Sequence, residues 1–305
     1  MKIIGLAEIQ KRLADIDVIA AVEKCFADYS SGKIINPPPG ELIFKDPPGD
    51  VHIKYGYNLT SNYYVIKIAS GFYDCDPRCQ GMMLVFSRQS GKPVALLDDQ
   101  CHLTNIRTAA AGAIAAKYCA PRVIKRIGIV GSGVQAQLQL TYLRKVLDCN
   151  NVIVFGRNKE ALAKFQPQCA ITTDIEELAA TSNMIVTTTP SHIPLLNLSH
   201  IKPGTHITAI GSDTPDKQEL TIDILQAGDV IVTDSKQQAQ TRGEIAHALA
   251  KQVIALDKVV EIGEIINGNA VGRENDQQIT IADFTGLAAQ DIAIAEAVYS
   301  NTAPI

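Results

Sequence analysis

Hydrophobic and polar positions keep one rhythm up to about residue 120 and a different one after it. A helical spacing comes first: Val18, Val22, Cys25, Phe26 and Tyr29 share one face of a helix predicted over Asp17–Ser31, with Asp17 placed to cap it and Gly32 to end it. Two proline-rich stretches, Asn36–Gly40 and Asp46–Gly49, read as loops. Short runs of strand character follow at Val51–Tyr57, Tyr63–Ala69, Met82–Ser87 and Val94–Leu97, and Ser90-Gly91-Lys92 forms a hairpin-type turn before the last of them. This pattern predicts an antiparallel sheet with one helix. Thr104–Cys119 is then a helix crowded with alanine and stopped by Pro121, its small side chains suited to close packing where two domains meet.

From Val123 the pattern becomes an alternation of strands and helices, which predicts an α/β unit with a parallel sheet. The apolar runs are Ile127–Val130, Val152–Phe155, Met184–Thr187, His206–Ile210 and Val230–Val232, with helices over Val134–Val146, Lys159–Phe165 and Ile175–Ala180. A last strand near Gln278–Ala282 leads through Gly286 into a helix over Leu287–Tyr299. The domain division read from these rhythms is 1–120, then 121–285, then a C-terminal helix over 286–305 that returns to the first domain.

The first strand of the alternating region runs into Gly131-Ser132-Gly133-Val134-Gln135-Ala136, a G-x-G-x-x-A turn that opens a helix. Gly131 permits the tight turn, Gly133 lets the backbone approach a pyrophosphate, and the free N–H groups of the new helix face the anion. A dinucleotide is therefore the expected cofactor. Gly211 and Thr187–Pro190, with Thr187 and Thr188 as contacts, fall past strand ends where open α/β sheets bind ligands. The second strand ends in Gly156-Arg157-Asn158 with no Asp or Glu at its tip. An NAD-type site puts an acid there; Arg157 instead suits a 2′-phosphate, so NADP(H) is expected to be preferred, with NAD(H) possible through Asn158 and its loop.

Composition narrows the function classes. The 305 residues carry a formal charge of −4, with 46% hydrophobic and 20% charged residues, which gives no basic field for nucleic acid or an anionic membrane. Seven scattered cysteines read as reduced thiols, and no Cys or His pairs stand at zinc spacing, so no metal is expected. Without a signal-peptide core or a membrane-length apolar run, the expected location is the cytoplasm.

Several segments together resemble the ornithine cyclodeaminase/mu-crystallin family: VIKIASG (65–71), GKP (91–93), LTNIRTAAAGAIAAKY (103–118), IGIVGSGVQAQ (127–137), IGSDTPDKQEL (210–220), RGEI (242–245) and ITIADFTGLAAQD (279–291). The resemblance implies a Rossmann dinucleotide-binding domain inserted in a smaller α+β substrate-binding and dimerisation domain, and a homodimer. It also implies roles for residues that, on their own chemistry, have plainer readings. Arg107, otherwise a surface or interdomain arginine, becomes the fork that grips a substrate carboxylate or the cofactor. Lys67, otherwise an edge-strand lysine facing water, becomes a carboxylate ligand or proton-transfer partner. Asp213, otherwise a turn or capping aspartate before a helical pattern starting at Glu219, becomes the acid that exchanges a proton with the substrate nitrogen; Lys217, four residues on, either lines the same opening or simply solvates it. Thr285, otherwise a helix N-cap, becomes a substrate-tuning position.

The chain also departs from the cyclodeaminase pattern. No arginine occurs between Arg12 and Arg78, where that pattern has a carboxylate-clamping one, and Lys54 or His52 are the nearby candidates to replace it. Cys79 falls near a cofactor-contacting threonine of that pattern. These differences favour an NAD(P)H-dependent reductase of an imino acid, such as Δ1-pyrroline-2-carboxylate or a related cyclic ketimine. An ornithine cyclodeaminase with catalytic NAD+, an alanine dehydrogenase, and a non-enzymatic NADPH-dependent binder of small ligands are the alternatives, with a sensor of nucleotide ratio behind them.

Overall fold

The computed structural model describes residues 1–72 and 74–301 and divides the chain into two compact units. One comprises residues 1–107 and the segment from Leu287 onward; the other is Thr108–Gly286. The division passes through the alanine-rich helix at Arg107/Thr108, where the hydrophobic rhythm alone had suggested residue 120.

The first unit begins with β1 (Lys2–Gly5), α1 (Leu6–Leu13) and α2 (Val18–Ser30), in which Asp17 accepts from the amide of Ala20 and caps the helix. Then come β2 (Ile34–Ile35), β3 (Gly40–Lys45), β4 (Pro48–Asn58), β5 (Tyr63–Phe72), β6 (Cys79–Ser87) and β7 (Pro93–Asp98), and the start of α3 (His102–Cys119). The sheet order is β1-β7-β6-β5-β4-β2, with β3 paired to β4. Two expectations are corrected here. Asp46–Gly49 is a tight connection between paired strands, with Lys45 opposite Pro48; proline is tolerated as the first residue of a strand, so the predicted loop shrinks to a turn. The unit also holds more than one helix, and β1 runs parallel to β7, so the sheet is not wholly antiparallel.

Strand alternation explains this sheet's two faces. Ile4, Leu97, Met83, Lys67 and Lys54 lie side by side across β1, β7, β6, β5 and β4, and all five are buried. The C-terminal helix of the chain, α10 (Ala288–Ser300, labelled in chain order), packs on β4, β5, β6 and α2 and covers that face. The opposite face leaves Ile3, Leu42, Phe44, Tyr55 and Met82 exposed.

The second unit continues α3 and adds β8 (Ile127–Val130), α4 (Val134–Val146), β9 (Val152–Phe155), α5 (Lys159–Ala163), β10 (Ala170–Thr172), α6 (Ile175–Thr181), β11 (Met184–Thr187) and β12 (His206–Ala209). It ends with α7 (Ile222–Ala227), β13 (Val230–Thr233), α8 (Gly243–Ala250), β14 (Val259–Glu261), α9 (Ile262–Ile266) and β15 (Thr280–Asp283). The eight strands are all parallel in the order β10-β9-β8-β11-β12-β15-β13-β14. Strands β8, β9, β11, β12 and β15 are buried at every residue, which is why β8 and β9 appear as continuous apolar runs. From β8 the chain winds outward through β9 on one side and returns through β11 on the other, so the sheet's switch point lies between β8 and β11.

Candidate active site

In the second unit the turn after β8 is shaped for an anion. Gly131 has φ +123°, and a Cβ there would stand 2.4 Å from Oγ1 of Thr188, so only glycine fits. Gly133 is exposed, with nothing within 4 Å of an added Cβ. Gly133 also N-caps α4 without any side-chain hydrogen bond, and the first turn carries no acid. A helix start that is left uncapped by side chains, opened by glycine and placed at the switch point is what a dinucleotide's phosphates require. Ser132 and Gln135 are half-buried and Val134 exposed around it.

The strand ends beside this turn are tied together by a residue that sequence pattern does not pick out. Glu219 is fully buried in the segment before α7 and does not begin a helix, a correction to the expected helical pattern. Its carboxylate accepts from Oγ1 of Thr187 (2.7 Å), the amide and hydroxyl of Thr189 (2.6 and 2.8 Å) and the amide of Gly211 (2.9 Å). Burial pushes its pKa up to about 7 against the pull of those donors. Glu244, also buried, accepts from the amides of Glu219 and Leu220, and Asp283 accepts from the amide of Ile245; burial raises both carboxyls, Asp283 to about 7. This geometry corrects the expectation for Thr187, which is fully buried with its hydroxyl on Glu219 and presents no side chain to a cofactor. Thr188 donates to the carbonyl of Val130 and so braces the Gly131 turn, while Gly211 is held by its amide.

Arg157 and Asn158 are both exposed at the tip of β9. Asn158 caps α5, accepting from the amides of Glu160 and Ala161. Past β12, half-exposed Asp213 pairs with Lys217 at 2.6 Å, a salt bridge within one short loop. Thr285 is buried and accepts from Nε2 of Gln238 at 2.9 Å. The N-cap of α10 is Leu287, without a side-chain bond, so Thr285 does not cap that helix.

In the first unit Lys67 and Arg107 converge on one carboxylate. Asp291 of α10, 1% exposed, receives Lys67 Nζ at 2.9 Å and Arg107 Nε at 3.0 Å. Arg107 also donates from Nη1 to Oε1 of Gln290 at 2.8 Å. Lys67 is therefore no edge-strand lysine: β5 is an interior strand and its ammonium is 3% exposed. Lys54 stands directly opposite it on β4, also buried. Burial alone would raise the Asp291 carboxyl, but Lys67, Arg107 and Lys54 outweigh it and hold it below the usual range. For Lys67, burial and the Arg107 charge win over Asp291 and lower its pKa. Asp99, buried nearby and accepting from the amide of Leu103, is raised to about 6 by burial. His52 pairs instead with Glu41 and Asp50, at 3.5 and 3.6 Å. Nε2 of Gln290 is buried with no acceptor among the described residues, a donor awaiting an oxygen.

Asp291, Gln290, Asp99 and Glu219 were all missed from sequence. Asp291 and Gln290 are polar residues in the first turn of an alanine-rich helix, and that was the available signal. Among the described residues no His, Cys, Asp and Glu side chains gather into a group able to hold a metal ion, and no helix is long and apolar enough to cross a membrane.

Comparison with known proteins finds relatives over nearly the whole chain. The sequence profile of the ornithine cyclodeaminase/mu-crystallin family matches residues 3–304. The alanine dehydrogenase of Archaeoglobus fulgidus is 38% identical over 96% of this chain and 92% of its own length. Among solved structures, an archaeal alanine dehydrogenase dimer with bound NAD superposes with a TM-score of 0.91 at 36% identity, covering 99% of this chain and 95% of that one. The Δ1-pyrroline-2-carboxylate reductase of Thermococcus litoralis, in complex with NADH and L-proline, gives 0.93 at 25% identity, covering 99% and 97%.

Proposed function

Because the chain belongs to the ornithine cyclodeaminase/mu-crystallin family, we propose that it is an NAD(P)H-dependent reductase of an imino acid, taking Δ1-pyrroline-2-carboxylate or a related ketimine to the amino acid. The observation that carries this reading is the buried cluster of Lys54, Lys67 and Arg107 around Asp291, three cations on one carboxylate with the orphaned amide of Gln290 beside them. An α-carboxylate is the group that matches these cations and the Gln290 amide in charge and hydrogen bonding. Gly131, Ser132 and Gly133 would hold the nicotinamide cofactor, which would supply the hydride for the imine carbon.

The chain's own residues do the rest. Arg107 and Lys67 hold the carboxylate and fix the orientation of the carbon–nitrogen bond. Lys54 takes the place of the arginine that cyclodeaminases carry in the N-terminal segment; its burial opposite Lys67 supports this over His52, which is engaged by acids. Asp213, half-exposed and poised on Lys217, delivers the proton to the substrate nitrogen. Thr285 tunes substrate choice through its bond from Gln238. Arg157, exposed at the β9 tip with no acid beside it in sequence, favours a 2′-phosphate and hence NADPH.

The exposed apolar face of the seven-stranded sheet supports a homodimer, as in the archaeal neighbour described as a dimer. Cysteines that form no disulfide among the described residues fit a cytoplasmic setting. A second reading, oxidative deamination of alanine, is favoured by the 38% identity to an alanine dehydrogenase. One assay separates the readings. Purified protein is offered NADPH and NADH with cyclic imines, with keto acids plus ammonia, and NAD+ with ornithine or alanine. Oxidation of NADPH by a cyclic imine, lost in Asp213→Asn with cofactor affinity retained, is expected. Ammonia release from ornithine without net cofactor turnover overturns the proposal in favour of a cyclodeaminase.

A further inference from the structure

Two cysteines that the proposed reaction does not use meet in the first unit. Sγ of Cys79, at the start of β6, lies 2.8 Å from Sγ of Cys101, in the turn between β7 and α3. The contact is built by the strand's alternation. Cys79 and Gly81 point to the same face of β6, and Gly81 has no side chain to occupy it. A Cβ on Gly81 would stand 2.9 Å from Sγ of Cys101, so the glycine is what lets Cys101 cross the strand and reach Cys79. The turn holds Cys101 there: Gln100 and Cys101 both have positive φ (50° and 63°), the Gln100 amide bonds to the Gly81 carbonyl, and the His102 amide bonds to Asp99. Cys79 is exposed and Cys101 is buried, so Cys79 is the thiol that solvent reaches.

We propose that Cys79 and Cys101 are a modification site, an entry thiol and a resolving thiol that close into a reversible disulfide by exchange with small disulfides of the oxidised-glutathione class. The Cys79 thiolate attacks one sulfur of the small disulfide, forming a mixed disulfide and releasing one small thiolate, which takes up the proton Cys79 gave. Cys101 then attacks the Cys79 sulfur, displaces the second small thiol with its own proton, and completes the link. Two protein thiols are oxidised and one small disulfide is reduced to two thiols. The environment assigns the order of attack. Contact with Cys101 lowers the Cys79 thiol, with the Lys67 ammonium adding to it against burial, while that contact and burial raise Cys101. The link ties the start of β6 to the turn that begins the helix carrying Arg107, and Lys67 lies within electrostatic reach of both sulfurs.

The test uses the full-length native protein, oxidised glutathione and peptide mapping by mass spectrometry. Titratable thiols are expected to fall by two from the seven in the chain, and to return with dithiothreitol. Trypsin is expected to release Cys79–Arg88 joined to Gln89–Arg107. In Cys101→Ser the entry thiol has no resolving partner, so a glutathione adduct should accumulate on Cys79; in Cys79→Ser, Cys101 should stay unmodified. A glutathione adduct that persists on Cys79 in the native protein, a link from Cys79 to Cys75, or no modification at Cys79 would each overturn the proposal.

Discussion

Replacing Asp291 by Asn tests the buried charge cluster directly. Asparagine keeps the shape and leaves an oxygen for Nε of Arg107, 3.0 Å away, but it turns a donor toward the Lys67 ammonium at 2.9 Å. At roughly 4 Å a pair of charges in a protein-like effective dielectric of about 20 interacts by about 4 kcal/mol, and removing one partner of a buried pair commonly costs about 3–5 kcal/mol. Asp291 is 1% exposed and faces more than one cation, so the loss should fall in that range near neutral pH. The sign with pH follows from Lys67. Its folded pKa is already lowered, and without Asp291 it drops further below the unfolded value of about 10.4. The variant's deficit is therefore full while Lys67 stays protonated in both folded proteins, and it shrinks as pH rises through the native protein's own lowered folded pKa. Urea denaturation at pH 7 and pH 10 measures it. Adding Lys67→Met to the variant should recover part of the loss, because the stranded charge is gone, with a coupling on the order of 2 kcal/mol. A loss below about 1 kcal/mol at both pH values, with no coupling to Lys67, would show that Asp291 does not hold this cluster and that the reasoning is wrong.

The other expectations concern the second unit. Gly131→Ala should weaken dinucleotide binding roughly tenfold or more, since both φ and the Thr188 contact oppose a side chain; calorimetric titration with NADPH checks it, and unchanged affinity would exclude this turn as the phosphate site. Arg157→Ala should cost NADPH about 1.5–3 kcal/mol of binding and leave NADH nearly unaffected, so an equal effect on both would remove Arg157 from the 2′-phosphate. Glu219, whose carboxyl is raised to about 7, contributes stability that is complete below about pH 4 and lost as pH rises through 7. Glu219→Gln should flatten that decline by an amount on the order of 3 kcal/mol, read from denaturation midpoints between pH 4 and 8.

The glycine turn, the strand before it and the helix after it could be read from residues 126–146 because each is a local requirement: an apolar run for a buried parallel strand, glycine for φ +123°, and a helix whose N-terminus carries no side-chain cap. The same holds for Asp17 capping α2 and for the turn at Gly91, where φ is +68°. Short elements escaped this reading. Strands β10 and β14 have three residues each and β2 has two, too few for a period to show.

Sequence also offered candidates for the chemistry, since Lys67, Arg107 and Asp213 fall in segments that resemble family motifs. It did not determine their surroundings. Whether Lys67 faced water or the core depended on how many strands lie to either side of β5, which is a property of the sheet order. That Asp291 neutralises it depended on a helix 224 positions further along the chain returning to cover this face. Thr187, which sequence offered as a cofactor contact, was claimed by Glu219, and Cys79 found Cys101 across a strand rather than its neighbour Cys75. The physical reason is common to all four. Backbone conformation is fixed by steric and hydrogen-bonding demands a few residues long, whereas burial and charge pairing are set by what distant segments bring alongside.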